Sequence, residues 1–283
     1  MAIGGVLTAM VTPFDADGRV DEEAAVRLMR HLLDNGSDGL VVAATTGEAP
    51  TLSDDEKLRL FELAVGEFGD ETFVVAGTGS NDTAHSVELT ERASAVGVDA
   101  TLAVCPYYNK PDRRGLIAHY RAIAAATDKP VIVYNIPSRC VIDMDNDLLR
   151  ELGQIENVAA VKQARYENLE TIDGLDLLAG NDDVLARVMD VGGTGGILVT
   201  SHLIGREMRR MIDEPDVRHE LHETYADLFK AMFITSSPMP MKAALNMIGL
   251  EVGGLRLPLV ELGEEERAVV RGALERYGLL SAV

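Results

Sequence analysis

A single lysine, Lys162, ends the apolar run Val158-Ala159-Ala160-Val161. An amine held there is partly desolvated, which lowers its pKa and frees the nitrogen for attack. A nucleophilic amine facing hydroxyls points to imine formation with a carbonyl substrate. The plainer alternative is a lysine that snorkels to the rim or pairs with a carboxylate. Tyr134 closes the run that begins at Val131. A phenol near an amine can relay protons while an imine forms and a bond is made, or it can be a core aromatic with its hydroxyl satisfied. Thr45, Thr46 and Tyr108 can extend a relay of hydroxyls or bind a carboxylate, or serve only as turn and capping residues. Arg139 lies five residues past Tyr134. Its fork can hold a carboxylate through two parallel bonds, or form an ordinary salt bridge.

Such residues need rigid elements to bring them together. Short β-rich apolar runs recur at Val6 to Val11, Gly39 to Ala43, Phe73 to Ala76, Ala100 to Val104, Val131 to Tyr134, Val158 to Val161, Leu175 to Ala179 and Gly196 to Val199. Continuous rather than alternating apolar runs indicate burial on both faces, as in parallel sheets. The segments between them read as helices. Ala24, Ala25, Leu28, Met29 and Leu32 form a stripe at helical spacing, and Asn35-Gly36 supplies a stop. Ser53-Asp54-Asp55-Glu56 is a capping box, and Asn81 can cap a helix that runs to Val96. Eight strand-helix units in roughly 200 residues predict an α/β fold, the eight-fold (β/α) TIM barrel, with an open doubly wound sheet as the alternative. The strand signal ceases near Gly205. The expected division is a catalytic barrel over 1–205 and C-terminal helices packed on it over 206–283, with helices at Asp216 to Phe233, Met239 to Ile248 and Glu264 to Tyr277. In such barrels catalytic groups lie past the carboxyl ends of the strands. That rule collects Thr45-Thr46-Gly47-Glu48, Gly77-Thr78-Gly79, Cys105-Pro106-Tyr107-Tyr108, Tyr134 to Arg139, Lys162, Gly180-Asn181-Asp182 and Thr200-Ser201 on one rim.

Composition limits the partners. The 283 residues carry 26 Lys and Arg against 46 Asp and Glu, a formal net charge of −20. Nucleic acid and anionic membrane surfaces are excluded, because phosphate binding needs clustered cations. An anionic small molecule remains compatible with a local cationic pocket. No apolar run approaches the ~18 residues of a membrane helix. The apolar start, Met1 to Phe14, lacks a basic leader and reads as a first core strand. Two cysteines, Cys105 and Cys140, cannot make a disulfide framework, and a reduced, cytoplasmic setting fits them. They are placed on adjacent strands flanking the rim and given no catalytic role. Gly77-Thr78-Gly79 lacks the third glycine of a dinucleotide fingerprint. Gly192 to Gly196 reads as a tight turn into strand eight, and His219 and His222 as a solvated helix face rather than a metal pair.

Taken in order, the motifs resemble a known family, the one that dihydrodipicolinate synthases share with N-acetylneuraminate lyases. Thr12-Pro13-Phe14, Thr45-Thr46-Gly47-Glu48, Ala76-Gly77-Thr78-Gly79, Pro106-Tyr107-Tyr108-Asn109-Lys110-Pro111, Tyr134-Asn135-Ile136-Pro137-Ser138-Arg139, Lys162 and Leu255-Arg256-Leu257-Pro258 carry the likeness nearly end to end. The resemblance implies a Schiff base between Lys162 and pyruvate, with Tyr134 as proton donor and acceptor. Thr45 and Tyr108 would complete a relay, Tyr108 reaching into a neighbouring subunit. Thr46 and the backbone at Ile197 would hold the pyruvate carboxylate, Arg139 would hold that of L-aspartate 4-semialdehyde, and Gly180 would lie in the substrate site. The implied product is 4-hydroxy-tetrahydrodipicolinate, in lysine and diaminopimelate biosynthesis. No cofactor or metal is implied, and the implied assembly is a homotetramer, a dimer of dimers.

Family members that cleave sugar acids tend to lack the arginine at position 139, so its presence favours the synthase. Two alternatives stand beside it: a related pyruvate aldolase acting on a sugar acid or hydroxy-oxoglutarate, and a non-catalytic small-molecule-binding barrel. The chain departs from the family at Ala44 (usually Gly), Gln163 (usually Glu), Cys140-Val141 (usually Thr-Gly) and His202 (usually Asn). Where lysine-sensitive members have a Glu after the Gly-Thr-Gly motif and histidines after Glu48, this chain has His85, Asp54 and Lys57. A ligand ammonium needs a carboxylate partner. Weak or absent inhibition by lysine is therefore expected in a turnover assay, and strong inhibition at low millimolar lysine would contradict it.

Overall fold

The apolar runs become eight parallel strands in this computed structural model, which describes residues 3–280; Met1 and Ala2 of the apolar start lie outside the described residues. The strands are β1 (Gly5–Ala9), β2 (Gly39–Val42), β3 (Phe73–Gly77), β4 (Ala100–Val104), β5 (Val131–Asn135), β6 (Val158–Gln163), β7 (Asp176–Ala179) and β8 (Gly195–Leu198). They pair in sequence order and β8 pairs back onto β1, so the sheet closes into the expected TIM barrel and is not an open sheet. Every residue of β2 and of β5 is buried. One face fills the barrel and the other meets helices, which is why these strands read as unbroken apolar runs. The closing seam requires glycine. Gly195 pairs with Gly5, has φ 153°, and would place a Cβ only 2.2 Å from the Gly5 carbonyl oxygen. Gly192, at φ 94°, turns the chain into that strand as the sequence suggested.

Helices α1 (Glu22–Asp34), α2 (Asp54–Phe68), α3 (Thr83–Val96) and α4 (Arg113–Ala125) follow β1 to β4 in turn. β5 is followed by α5 (Pro137–Cys140) and α6 (Asn146–Leu152), β7 by α7 (Leu185–Asp190) and β8 by α8 (Ser201–Asp213). The chain ends in α9 (Pro215–Thr224), α10 (Ala226–Met232), α11 (Met239–Met247) and α12 (Glu264–Arg276). The side chain of Asp21 caps α1, and Ser53 and Glu56 form the anticipated capping box on α2. Among the described residues no helix is long and apolar enough to cross a membrane.

The structure corrects the sequence pattern in several places. Asp82, not Asn81, caps α3, because its carboxylate accepts from the amides of Ala84 and His85. The link from β6 to β7, residues 164–175, forms no helix. Asn168 sits at φ 52°, and Asp173-Gly174 makes a turn between the bridged residues Ile172 and Leu175, which leaves too little chain for one. Residues 216–233 form two helices, broken at Tyr225, where the Tyr277 hydroxyl donates to the Thr224 carbonyl at 2.7 Å. Cys140 ends the short α5 instead of lying on a strand. Gly205, where the strand signal ceases, lies inside α8. His219 is exposed and pairs with Asp190 at 2.9 Å, but His222 is half-buried against the Phe229 ring, its centroid 5.5 Å away, and is not on a solvated face.

Charge ties the C-terminal helices to the catalytic rim. Lys242 of α11 places Nζ 2.7 Å from Glu48 Oε1, the two side chains being 2% and 1% exposed. Lys242 also donates to the Gly254 carbonyl at 2.6 Å and lies 4.0 Å from the centre of the Phe14 ring. The Arg256 amide donates to Glu48 Oε2 at 3.0 Å, while its guanidinium pairs with Glu56 and covers the same ring at 4.4 Å. Glu48 ends the loop Thr45-Thr46-Gly47-Glu48, so this buried pair fixes the loop that presents the threonines. Removing one partner leaves the other charge buried alone. Lys242→Met is expected to cost about 3–5 kcal/mol, read as a lower denaturant midpoint. A loss below ~1 kcal/mol, the level of exposed pairs, would show that Glu48 is not held as described.

Candidate active site

Strand register brings the amine and the phenol together. Tyr134 in β5 pairs directly with Lys162 in β6, and Lys162 pairs with Leu178 in β7. Side chains of register partners on neighbouring strands share a face. Lys162 Nζ accordingly lies 4.2 Å from the centre of the Tyr134 ring. Lys162 is inside β6 rather than beyond its end, since the strand continues to Gln163. Both residues are 4% exposed. Burial drives the Lys162 pKa down to about 7; the charge of Asp182 opposes that fall and the charge of Arg139 adds to it. Burial raises the Tyr134 phenol above its ordinary value, while Arg139 and the hydrogen bond with the Thr45 hydroxyl pull the other way. An amine that is about half free of its proton at neutral pH thus stands beside a phenol that keeps its own.

Tyr134 faces a cavity of about 620 Å³ whose walls also include Thr45, Gly79, Tyr107, Arg139 and Cys140. Lys162 is buried against the ring of Tyr134 and is not itself among the residues that line this cavity. Arg139 is exposed on α5, where its guanidinium reaches the Ser237 carbonyl at 3.5 Å. A brace of polar side chains sets that loop. Asn135 donates to Gln163 and to Asp143, each at 2.9 Å, and accepts from the Met144 amide at 3.1 Å. Gln163, a departure from the family's usual Glu, offers Asn135 an uncharged amide from the opposite face of β6 to Lys162.

The remaining rim residues divide. Thr46 is buried in the rim loop and Ile197 is buried in β8. The Gly180 amide donates to the Gln163 carbonyl at 2.8 Å, and a Cβ on Gly180 would lie 2.7 Å from the Ala164 amide. Tyr108 is not brought into its own chain's cavity. It is 89% exposed at φ 72°, and Tyr107 rather than Tyr108 lines the cavity. His202, at the start of α8, donates from Nδ1 to the Val199 carbonyl at 2.7 Å and accepts from the Val11 amide at 3.2 Å. Burial takes its pKa down to about 4, so it serves as a neutral pin between the ends of β1 and β8.

Sequence reasoning gave no role to Asp182. The structure buries it fully and surrounds it with donors: the amides of Val199 and Thr200 at 2.9 and 2.6 Å and the Thr200 hydroxyl at 2.5 Å. It supplies the negative charge that partly offsets the desolvation of Lys162. Its position after β7 was visible in the sequence, but its burial was not. Further along the cavity wall, the Asp54 carboxylate is already taken, by Lys57 at 3.0 Å and by His85 Nε2 at 2.7 Å.

A sequence model of the dihydrodipicolinate synthetase family matches residues 2–277. The chain belongs to this family. A 4-hydroxy-tetrahydrodipicolinate synthase of Moorella thermoacetica is 47% identical, over 99% of this chain and 100% of its own. The dihydrodipicolinate synthase structure from Bacillus anthracis superposes with a TM-score of 0.93 at 40% identity, covering 97% of this chain and 99% of that one. The Cyanidioschyzon merolae enzyme, crystallised with lysine bound, gives 0.94 at 40% identity, over 98% and 99%. For this dihydrodipicolinate synthetase family member, the resemblance read from the motifs and the barrel is borne out.

The unusual amine can be tested without any substrate. Cyanate carbamylates only unprotonated amines, and Lys162 is deprotonated as pH rises through about 7. Its carbamylation, followed by peptide mass mapping, is expected to be half-maximal near that pH, some three units below an ordinary lysine at about 10.4. A profile for Lys162 that matches the exposed lysines would contradict the dry environment.

Proposed function

We infer that the protein condenses pyruvate with L-aspartate 4-semialdehyde to give 4-hydroxy-tetrahydrodipicolinate. The observation that carries this reading is the depressed, desolvated Lys162 amine against Tyr134 and beside an arginine-bearing cavity. The names of the curated relatives support the same reaction and do not favour the sugar-acid aldolase or the non-catalytic barrel.

Lys162 swings on its flexible stem into the cavity and attacks the pyruvate ketone. Tyr134 protonates the carbinolamine hydroxyl, water leaves, and an imine remains. The protonated imine nitrogen is the electron sink, so the route calls on no metal or prosthetic group. Loss of a methyl proton to the Tyr134 phenolate gives an enamine, whose carbon attacks the aldehyde. Thr45 holds the phenol and passes its proton onward. Thr46 and the Ile197 backbone hold the pyruvate carboxylate and Gly180 leaves room beside them. Arg139 holds the carboxylate of the aldehyde substrate. The substrate amine then displaces Lys162 and closes the ring. The product would feed lysine and diaminopimelate biosynthesis in the cytoplasm.

The extreme exposure and left-handed backbone of Tyr108 favour an assembly in which this side chain is covered by another copy. A dimer that shares Tyr108 across its interface, paired again into a tetramer, is the proposed state.

Reduction with borohydride in the presence of pyruvate should add one reduced pyruvate to the intact mass of the wild type and nothing to Lys162→Ala. Tyr134→Phe should lower kcat by about 10²–10⁴-fold, the usual worth of a positioned proton donor. Arg139→Ala should chiefly raise KM for the aldehyde, by an amount equivalent to about 1.5–3 kcal/mol for one charged hydrogen-bonding partner. A wild-type protein without a pyruvate adduct would overturn the reading.

A further inference from the structure

Cys105 and Cys140 are the only cysteines in the chain, and the fold brings them together from different elements. Cys105 follows β4 directly, and Cys140 ends α5. Cys140 Sγ donates to the Cys105 carbonyl at 3.0 Å, and the two thiols are within hydrogen-bonding reach of one another. Both residues are buried, yet Cys140 forms part of the wall of the active-site cavity and is the residue after Arg139. We propose that Cys105 and Cys140 are a reactive dithiol in that wall, a modification site that hydroperoxides convert to an intrachain disulfide, displacing Arg139 from the aldehyde subsite.

The two thiols are not equivalent. The hydrogen bond from Cys105 lowers the Cys140 pKa against its burial, and the Arg139 charge adds to the lowering. The same bond and burial hold the Cys105 thiol up. Cys140 also faces the cavity through which a peroxide arrives, while Cys105 is fully buried behind it, so Cys140 is the attacking thiolate and Cys105 the resolving thiol. The Cys140 sulfur attacks one peroxide oxygen and the O–O bond breaks. The departing oxygen takes a proton and leaves as water or alcohol, and Cys140 becomes a sulfenic acid. The Cys105 sulfur, losing its proton, then displaces the hydroxyl as a second water and the S–S bond forms. The peroxide gains two electrons and the thiols lose two.

The effect on function rests on the proposed role of Arg139. α5 is a single turn of four residues, opened by Pro137 and closed by Val141 at φ 63°, a left-handed setting that a β-branched residue rarely adopts. Contacts must hold such a turn, and the S–H of Cys140 on the Cys105 carbonyl is one of them. A disulfide has no S–H, so that bond is lost and the turn that carries Arg139 moves.

The test treats the whole protein with hydrogen peroxide at neutral pH and reads intact mass without reductant. The wild-type chain should become lighter by two hydrogen atoms, remain a single chain on a denaturing non-reducing gel, and yield a peptide linking Cys105 to Cys140. Cys105→Ser, or Cys105→Ala if the serine variant does not fold, should stop at one added oxygen on Cys140. In the oxidised wild type, KM for the aldehyde should rise roughly tenfold or more, as expected from loss of a charged hydrogen bond. Trapping of pyruvate on Lys162 with cyanoborohydride should persist, and dithiothreitol should restore the original KM. Two free thiols after treatment, cross-linking between chains only, or a disulfide with unchanged KM would overturn the proposal. Failure of the condensation reaction itself would show in untreated protein and leaves the mass readout intact.

Discussion

An ammonium stripped of water is the constraint on which this structure depends. Lys162 loses its solvation inside the barrel, and Asp182 returns only part of what is lost. At neutral pH an ordinary lysine exposes its lone pair in about one molecule in three thousand. With the pKa near 7, about half of the Lys162 amines are free. That gain in nucleophile requires a wall with no closer carboxylate, and the wall supplies the Tyr134 ring in its place. The closed barrel is what makes such a wall: β5, β6 and β7 hold Tyr134, Lys162 and Leu178 in one register level.

The chain contains a second buried lysine, and the contrast shows how packing assigns roles. Lys242 is also pushed down by burial, to about 8, but it has Glu48 at 2.7 Å, a carbonyl at 2.6 Å and an aromatic face. Its charge is satisfied, and it acts as a fastener between α11 and the rim loop. Lys162 has an aromatic face and no ion-pair partner, with Asp182 and Arg139 acting on it in opposite senses, so its lone pair is available for chemistry. Asp182 marks the same distinction among carboxylates: three donors hold it in place, and its influence on Lys162 is one of field rather than contact.

Much of this was legible in the residue order. Parallel strands buried on both faces write unbroken apolar runs, and a lysine or tyrosine at the end of such a run is placed by the barrel itself. Strand closure was less visible, because it depends on Gly195 fitting against Gly5 across nearly the whole chain, a contact that no local pattern records. The missing helix between β6 and β7 shows the opposite failure: the strands implied a repeat, and the turn residues Asn168 and Asp173-Gly174 broke it. Burial of Asp182, the bond of Cys140 to Cys105 and the outward setting of Tyr108 are tertiary facts. Position after a strand suggested each residue, but only packing decided whether it faced the amine, the cavity or the solvent.

The central claim is that this one nitrogen is the seat of covalent chemistry. A crystal structure of the protein soaked with pyruvate tests it most directly. Continuous density is expected from Lys162 Nζ into a three-carbon acid, with the Tyr134 hydroxyl beside the new bond. An unmodified amine, with the keto acid bound elsewhere or absent at saturating concentration, would contradict it.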